Sequence, residues 1–564
     1  MVIIDSSSIS WLASAHVGRP MSVAISALLP RWTKRVSIEE GGRDPLGLSR
    51  VSAMITDFLL QGIITQTYRA RYYSFYCWVI WHIEKEEQPK SYEQFAAALQ
   101  RRDTFFALAS YQHNPNSAPV GVRVVSSRLP AAKQSGEVSC NFRVLPSSPL
   151  GAFGQYYAGS IYELGLTSRD DQGIYHVSPA GEHLGQAFED SIRDTPYIRK
   201  KLYLDRSIAW IEFAKTAAKF NLDYLAHSTR ERDLLTTLFF SESLRSDRAL
   251  MRRSSLCLLM TVINAYKEAG VAIKDGDVWE LVYAPYYYGQ LQFPKGKNRR
   301  LELPQTEKTC VDFWQYFCLH QFVTQALENL LAGVLDLLSG ELSGMSNQEI
   351  CRQLTSDAFL KKLQEIHGTS CKRPYDLLRH LGITAPDPTP SICKQNQVHY
   401  DLSHPSSESK ILDQEPNSAY DRTALAVSLL AILYAKWGGL ATDVSRYVSA
   451  NAGIELHFAT LRPLVEAWLD KDNSWASAIE PILANLIFDQ HDRIMYEKGK
   501  LESCWLHRTE GKIFKDQDYF PSYRSPRANN SVSILTDLGL LTINSGGGIA
   551  VTARGNSVLR KYVT

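Results

Sequence analysis

The 564-residue sequence balances 61 Lys and Arg against 59 Asp and Glu, a formal charge of +2. That balance excludes a global electrostatic pull toward nucleic acid or anionic membrane, so any such binding must rest on local patches. A composition 45% hydrophobic, 11% aromatic and 21% charged is that of an ordinary globular protein, and roughly 100–200 residues per domain implies about three or four domains.

The nine cysteines form no Cys-x-x-Cys, and no His pair stands at finger spacing; an odd, scattered set suits a reducing cytoplasm. The opening Met1-Val2-Ile3-Ile4-Asp5 has an acid where a signal peptide needs a basic region. The longest apolar run, Ala424 to Ala435, falls short of the about 20 residues that span a bilayer and predicts a buried helix. A cytoplasmic protein without a membrane partner is expected.

Residues 1–45 have no clean period and end in the break Gly41-Gly42-Arg43-Asp44-Pro45. A helix to about Leu60 is interrupted by Gln61-Gly62. Thr67 to Glu87 predicts a helix apolar nearly all round, hence buried. Arg69 and Arg71 at its start oppose the helix dipole and call for an acid, such as Asp57 or Glu84, or a phosphate ligand. Ser91 to Tyr111 predicts a helix, 112–150 a loop or small hairpin, and Gly151 to Glu163 another helix. Residues 200–380 read as helical, with segments Asp205–Phe220, Arg230–Phe240, Ser243–Glu268 and the strongly periodic Phe313–Leu338. Tyr283 to Pro304 reads as an irregular loop or hairpin, and the Pro- and Ser-rich 384–420 as a long surface loop or linker. Further helices are expected over Asp421–Trp437, Glu455–Leu469 and Trp475–Lys500.

One stretch occurs twice. Ile161 to Phe188 and Leu535 to Tyr562 each run from a helix ending in Leu-Gly-Leu through a turn-rich tip and a short strand into a second helix. The glycines that end the first helix and open the second, Gly165 and Gly181 or Gly539 and Gly555, are 16 positions apart in both. This order resembles the back half of a winged-helix domain, over about 150–190 and 505–564. The resemblance implies a mainly α, multidomain fold with small β wings, two winged-helix-like modules flanking a helical middle. The expected segments are 1–190, an N-terminal helical region with the first module; 191–383, a helical middle domain; 384–420, the linker; 421–500, a helical domain; and 501–564, the second module.

A winged helix implies a binding surface for DNA, with the start of the recognition helix against base edges. In the second copy that helix starts near Ala528, and Arg524, Arg527, Asn529, Asn530, Ser531 and Ser533 supply groups suited to phosphates and bases. The second tip, Asn544 to Gly548, holds no basic residue, and the first sets Arg169 beside Asp170 and Asp171. If one copy reads DNA, the second is expected to. Arg245, Arg248, Arg252 and Arg253 share one helical face, and Lys295, Lys297, Arg299 and Arg300 lie beside three tyrosines in a pattern suited to single strands. A solvated face paired with Asp247, Glu302 or Glu242 is the plainer reading of both.

Catalytic signals are thin. His491 between Asp489 and Asp492 is the one weak acid–base candidate, and a structural role suits it better. Asp401 with Glu408-Ser409-Lys410 loosely resembles a metal-dependent nuclease set but lies in the linker. No phosphate-binding Gly-Lys-Ser/Thr loop, dinucleotide glycine motif or nucleophile elbow occurs, so no cofactor and no metal are expected.

Gly47-Leu48-Ser49-Arg50 with Arg69-Ala70-Arg71-Tyr72-Tyr73-Ser74-Phe75-Tyr76 resembles the start of large uncharacterised bacterial proteins of phage-defence and mobile-element systems. That resemblance implies a subunit of an assembly. The expectation is a non-catalytic DNA-binding or adaptor subunit whose partners are nucleic acid and other protein subunits. The alternatives are a pure protein scaffold and a metal-dependent nuclease effector.

Overall fold

Apolar stretches punctuated by glycine and proline fold as helices in the computed structural model, which describes residues 44–240, 247–293, 298–387, 408–439, 442–499 and 504–562. The fold is mainly α, and the strands among the described residues form only short two-stranded antiparallel pairs. None of the described helices is long and apolar enough to cross a membrane. The chain divides into two compact units, each assembled from separated stretches. The expected segmentation ran in chain order. The observed one joins the N-terminal region to the extreme C-terminus.

The repeat unit comprises Thr56–Pro285, Leu301–Cys310 and Ser525–Thr564. Its centre is the aromatic helix Arg71–Glu86, buried from Arg71 through Ile80 and again at His82 and Ile83. Phe75 stacks on Phe106 at 4.0 Å between ring centres, and Tyr72, Tyr73 and Tyr76 surround Tyr157. The helix Tyr92–His113 packs beside it, opened by the Ser91 hydroxyl accepting the Gln94 amide. The cations at the helix start have internal partners other than those expected. Arg69 pairs with Asp537 and Asp223, and Arg71, wholly buried, with the equally buried Glu231. Asp537 also accepts the Ala70 amide at 2.8 Å, which sets a carboxylate at the positive end of the helix dipole.

The segment expected as a loop contains the helix Val122–Ser135, bounded by Gly121 and Gly136, both with positive φ. Val125 and Leu129 are its buried residues, four positions apart as helical packing requires. Its serines and Pro130 obscured that spacing. The segment expected as the helix Asp205–Phe220 instead begins with the strand Ser207–Ala209, paired to Glu137–Ser139, before the helix Trp210–Ala217.

The long-helix unit comprises Met1–Ile55, Tyr286–Arg300 and Val311–Arg524. Helix Lys308–Leu337 is buried from Tyr316 to Leu335, and some of its polar side chains tie it to the segment before it. His320 bonds to the Leu48 carbonyl at 2.9 Å and Gln321 to the Ser52 hydroxyl at 2.9 Å. The buried helix Ala419–Trp437 covers the apolar run noted in the sequence. Buried Glu408 accepts bonds from Tyr287, Tyr288 and Lys436, a network in which each member satisfies another. The hairpin Leu506–Thr509 with Lys512–Lys515 belongs here through Ile513, which pairs with Met345. The expected closing module of 501–564 is therefore divided at Arg524. Asp401 and most of the expected linker lie outside the described residues.

Candidate nucleic-acid interface

The two repeated stretches fold as helix, hairpin, helix and are closed by the same bonds. In the first, helix Ala158–Glu163 leads through Gly165 into the pair Thr167–Arg169 with Tyr175–Val177 and then helix Pro179–Ile192. In the second, helix Ala528–Asp537 leads through Gly539 into Leu541–Ile543 with Ile549–Val551 and then helix Ala553–Tyr562. Gly165 and Gly539 turn the chain with φ of 68° and 70°, which only glycine adopts without strain. The Ser178 and Thr552 amides donate to the Leu166 and Leu540 carbonyls at 2.9 and 3.0 Å. Their hydroxyls accept the Gly181 and Gly555 amides. A Cβ on Gly181 or Gly555 would stand 2.3 Å from the Leu166 or Leu540 carbonyl oxygen, so the helix reaches its strand only because the side chain is absent. Each tip is tied by one oxygen that accepts two amides, from Asp170 in the first and Asn544 in the second.

In the second copy the expected DNA-reading groups are used internally. Arg527 donates to the Ile63 carbonyl at 2.8 Å and pairs with Asp57 at 2.6 Å. Asn530 donates to the Thr65 and Thr67 carbonyls, and Ser531 to the Arg527 carbonyl. Arg524, the last residue of the long-helix unit, pairs with Glu328 and Asp44. Asn529 and Ser533 are half-buried, and their side chains make no hydrogen bond among the described residues. The hairpin is engaged as well: the Ile549 amide donates to the Ile273 carbonyl at 2.8 Å and the Asp275 amide to the Gly547 carbonyl at 3.1 Å. These placements correct the recognition-helix reading for Arg524, Arg527, Asn530 and Ser531, because their donors are committed to carbonyls and carboxylates of their own unit.

Arg252 is corrected on the same ground. It is fully buried and donates to the Phe239, Leu238 and Gln61 carbonyls, and burial lowers its pKa to about 10. Arg248 is exposed, and Arg253 lies over the Tyr562 ring. Arg299 and Arg300 are exposed on the short strand paired to Gln290–Leu291. Arg245, Lys295 and Lys297 fall outside the described residues. His491 is buried at 1% exposure, with Nε2 facing the Trp505 amide and Nδ1 facing Asp492, which is itself paired to Arg508. That setting holds the ring by burial and by neighbours within its own unit. Among the described residues no group of three His, Cys, Asp or Glu side chains is arranged to hold a metal.

The first copy's hairpin packs through Tyr175 on Phe153 and Phe95 and leaves its tip exposed. Ser168, Arg169, Asp170 and Asp171 are exposed, and Arg169 lies over Tyr175. His176 bridges Asp170 and Glu84 at 3.2 and 3.3 Å. Burial opposes the charged imidazole, but both carboxylates favour it, and its pKa stands above the ordinary value. Beside this copy lies a cationic groove that sequence reasoning missed, formed by Arg123, Arg128 and Arg143 with Phe142 at its floor. The available signal was the spacing of Val125 and Leu129, which puts Arg123 and Arg128 on a helix.

Comparison with protein-family models, with curated proteins and with solved structures gave no match.

Proposed function

We propose that this chain is a non-enzymatic nucleic-acid-binding or adaptor subunit of a larger assembly, and that its two helix–hairpin–helix modules are winged-helix-like. The observation that carries the reading is the duplicated module, closed in both copies by the same carbonyl, hydroxyl and glycine contacts. The exposed tip of the first copy, with Arg169, is the part suited to touch a phosphate backbone. Titration of a labelled duplex in rising salt tests this. Binding that weakens steeply with salt supports it, and absence of binding to any duplex or single strand at low salt removes it.

A pure scaffold is the second reading, favoured by the internal use of Arg527, Asn530 and Asp537 in the second copy. A pull-down with the products of neighbouring genes after nuclease treatment separates the two. Capture that survives nuclease, with no intrinsic nucleic-acid binding, supports the scaffold.

A further inference from the structure

Three arginines converge on one surface of the repeat unit. Arg123 and Arg128 project from the helix Val122–Ser135, and Arg143 comes from the segment that follows the strand Glu137–Ser139. With Val124, Phe142 and Pro146 they line an open cavity of about 560 Å³. All three arginines are exposed, and among the described residues no carboxylate pairs with them. The contrast within the same unit is sharp, since Arg69, Arg71 and Arg527 are all held by acids. The Arg128 guanidinium lies 4.2 Å from the centre of the half-buried Phe142 ring. That stack presents a flat cation over an apolar floor.

The track continues toward the first hairpin module. Burial raises the Tyr92 hydroxyl pKa, while Arg169 and Arg143 both act on it in the opposite sense. Arg143 and Arg169 thus approach one tyrosine from the groove and from the hairpin. Acids are present at the far end, where Glu93, Asp170 and Asp171 flank Tyr92 and the tip.

We infer that this groove binds single-stranded nucleic acid, with Arg123, Arg128 and Arg143 on successive phosphates and one nucleotide seated over Val124, Phe142 and Pro146. Guanidinium forks match phosphate oxygens, and a stacked arginine face accepts a base of any identity. A concave site with an apolar floor takes an unstacked base or sugar, which a duplex does not present. The inference rests on the nucleic-acid reading above and moves the contact to a surface outside the hairpin modules.

The test uses the full chain and a labelled oligothymidylate of about 20 nucleotides, with a duplex of equal length and poly-glutamate as rival probes. Loss of three phosphate contacts in Arg123→Ala/Arg128→Ala/Arg143→Ala should weaken oligothymidylate binding about 100-fold at 0.1 M salt and flatten the log–log salt slope by about 2. Phe142→Leu should weaken it by about 5-fold and leave the salt slope intact, since stacking is lost and charge is kept. The thermal midpoint should hold in the triple variant, because the replaced side chains are exposed. Wild-type binding unchanged by the triple substitution overturns the groove and leaves the proposed function standing. Preference of the groove for duplex or for poly-glutamate overturns the single-strand assignment. Absence of nucleic-acid binding by the wild type overturns both readings.

Discussion

The two hairpin modules share a skeleton and differ in what surrounds it. Both use a left-handed glycine to leave the first helix and a Cβ-free glycine to let the second helix touch the strand. In the second copy, Arg527, Asn530 and Asp537 bind the chain around Asp57–Ala70, and its hairpin bonds to Ile273 and Asp275. In the first copy, the hairpin carries exposed charges at its tip and is held by Tyr175 packed on Phe153 and Phe95 and by the His176 bridge to Glu84. A repeated backbone therefore does not imply a repeated role. Polar residues at a helix entry read equally as base contacts or as internal caps, and their surroundings decide.

The largest expected effect tests the shared skeleton. Gly181→Ala and Gly555→Ala each force a methyl group against a backbone carbonyl, and each should cost about 3–4 kcal/mol in urea unfolding. Similar losses are expected in the two variants, and a neutral result at one position would show that its module lacks the close contact.

The next effect separates the copies. Asp537→Ala removes one of the two carboxylates that hold Arg69, together with the acceptor of the Ala70 amide, and should cost about 3 kcal/mol. Glu84→Gln, at the exposed His176 bridge of the first copy, should cost less than about 0.5 kcal/mol. Comparable costs would break the contrast between an internal module and an exposed one.

Two pH effects sharpen it further, and both concern the first copy. Buried Asp103 accepts the Tyr76 hydroxyl and the Ala152 amide at the approach to that module. Burial raises its pKa from 3.8 to about 6. A raised carboxyl binds its proton more tightly in the folded state, so its contribution is complete below about pH 4 and is lost as pH rises through about 6. Unfolding free energy should fall by about 2 kcal/mol over that window, and Asp103→Asn should flatten the slope. His176 also has a raised pKa. Its contribution is full below the ordinary histidine value of 6.5 and is lost as pH rises past its folded value, which lies higher. A fall in the protection factor at Ile174 above neutral pH, taken relative to the intrinsic exchange rate and absent in His176→Gln, is the expected reading.

Much of the helical framework was legible. The buried aromatic helix, the helix after Ser91 and the long helix Lys308–Leu337 were expected close to where they lie. The repeat was legible because glycines with fixed backbone duties leave a fixed spacing. What stayed hidden was long-range: nothing near Arg527 in sequence announces Asp57, and nothing near Arg69 announces Asp537. The helix Val122–Ser135 was hidden by its serines and Pro130, and with it the groove that holds Arg123 and Arg128.

One paired measurement addresses the central claim that the second module is internal and the cationic contact lies beside the first. The thermal midpoint and oligothymidylate affinity are read for Arg527→Ala/Asn530→Ala and for Arg123→Ala/Arg128→Ala/Arg143→Ala. The first variant should lose several degrees of stability, through about 3 kcal/mol, and keep its affinity per folded molecule. The second should keep its midpoint and lose about 100-fold in affinity. The reverse pattern, a stable Arg527→Ala/Asn530→Ala protein that no longer binds and a triple variant that binds as before, would contradict the account.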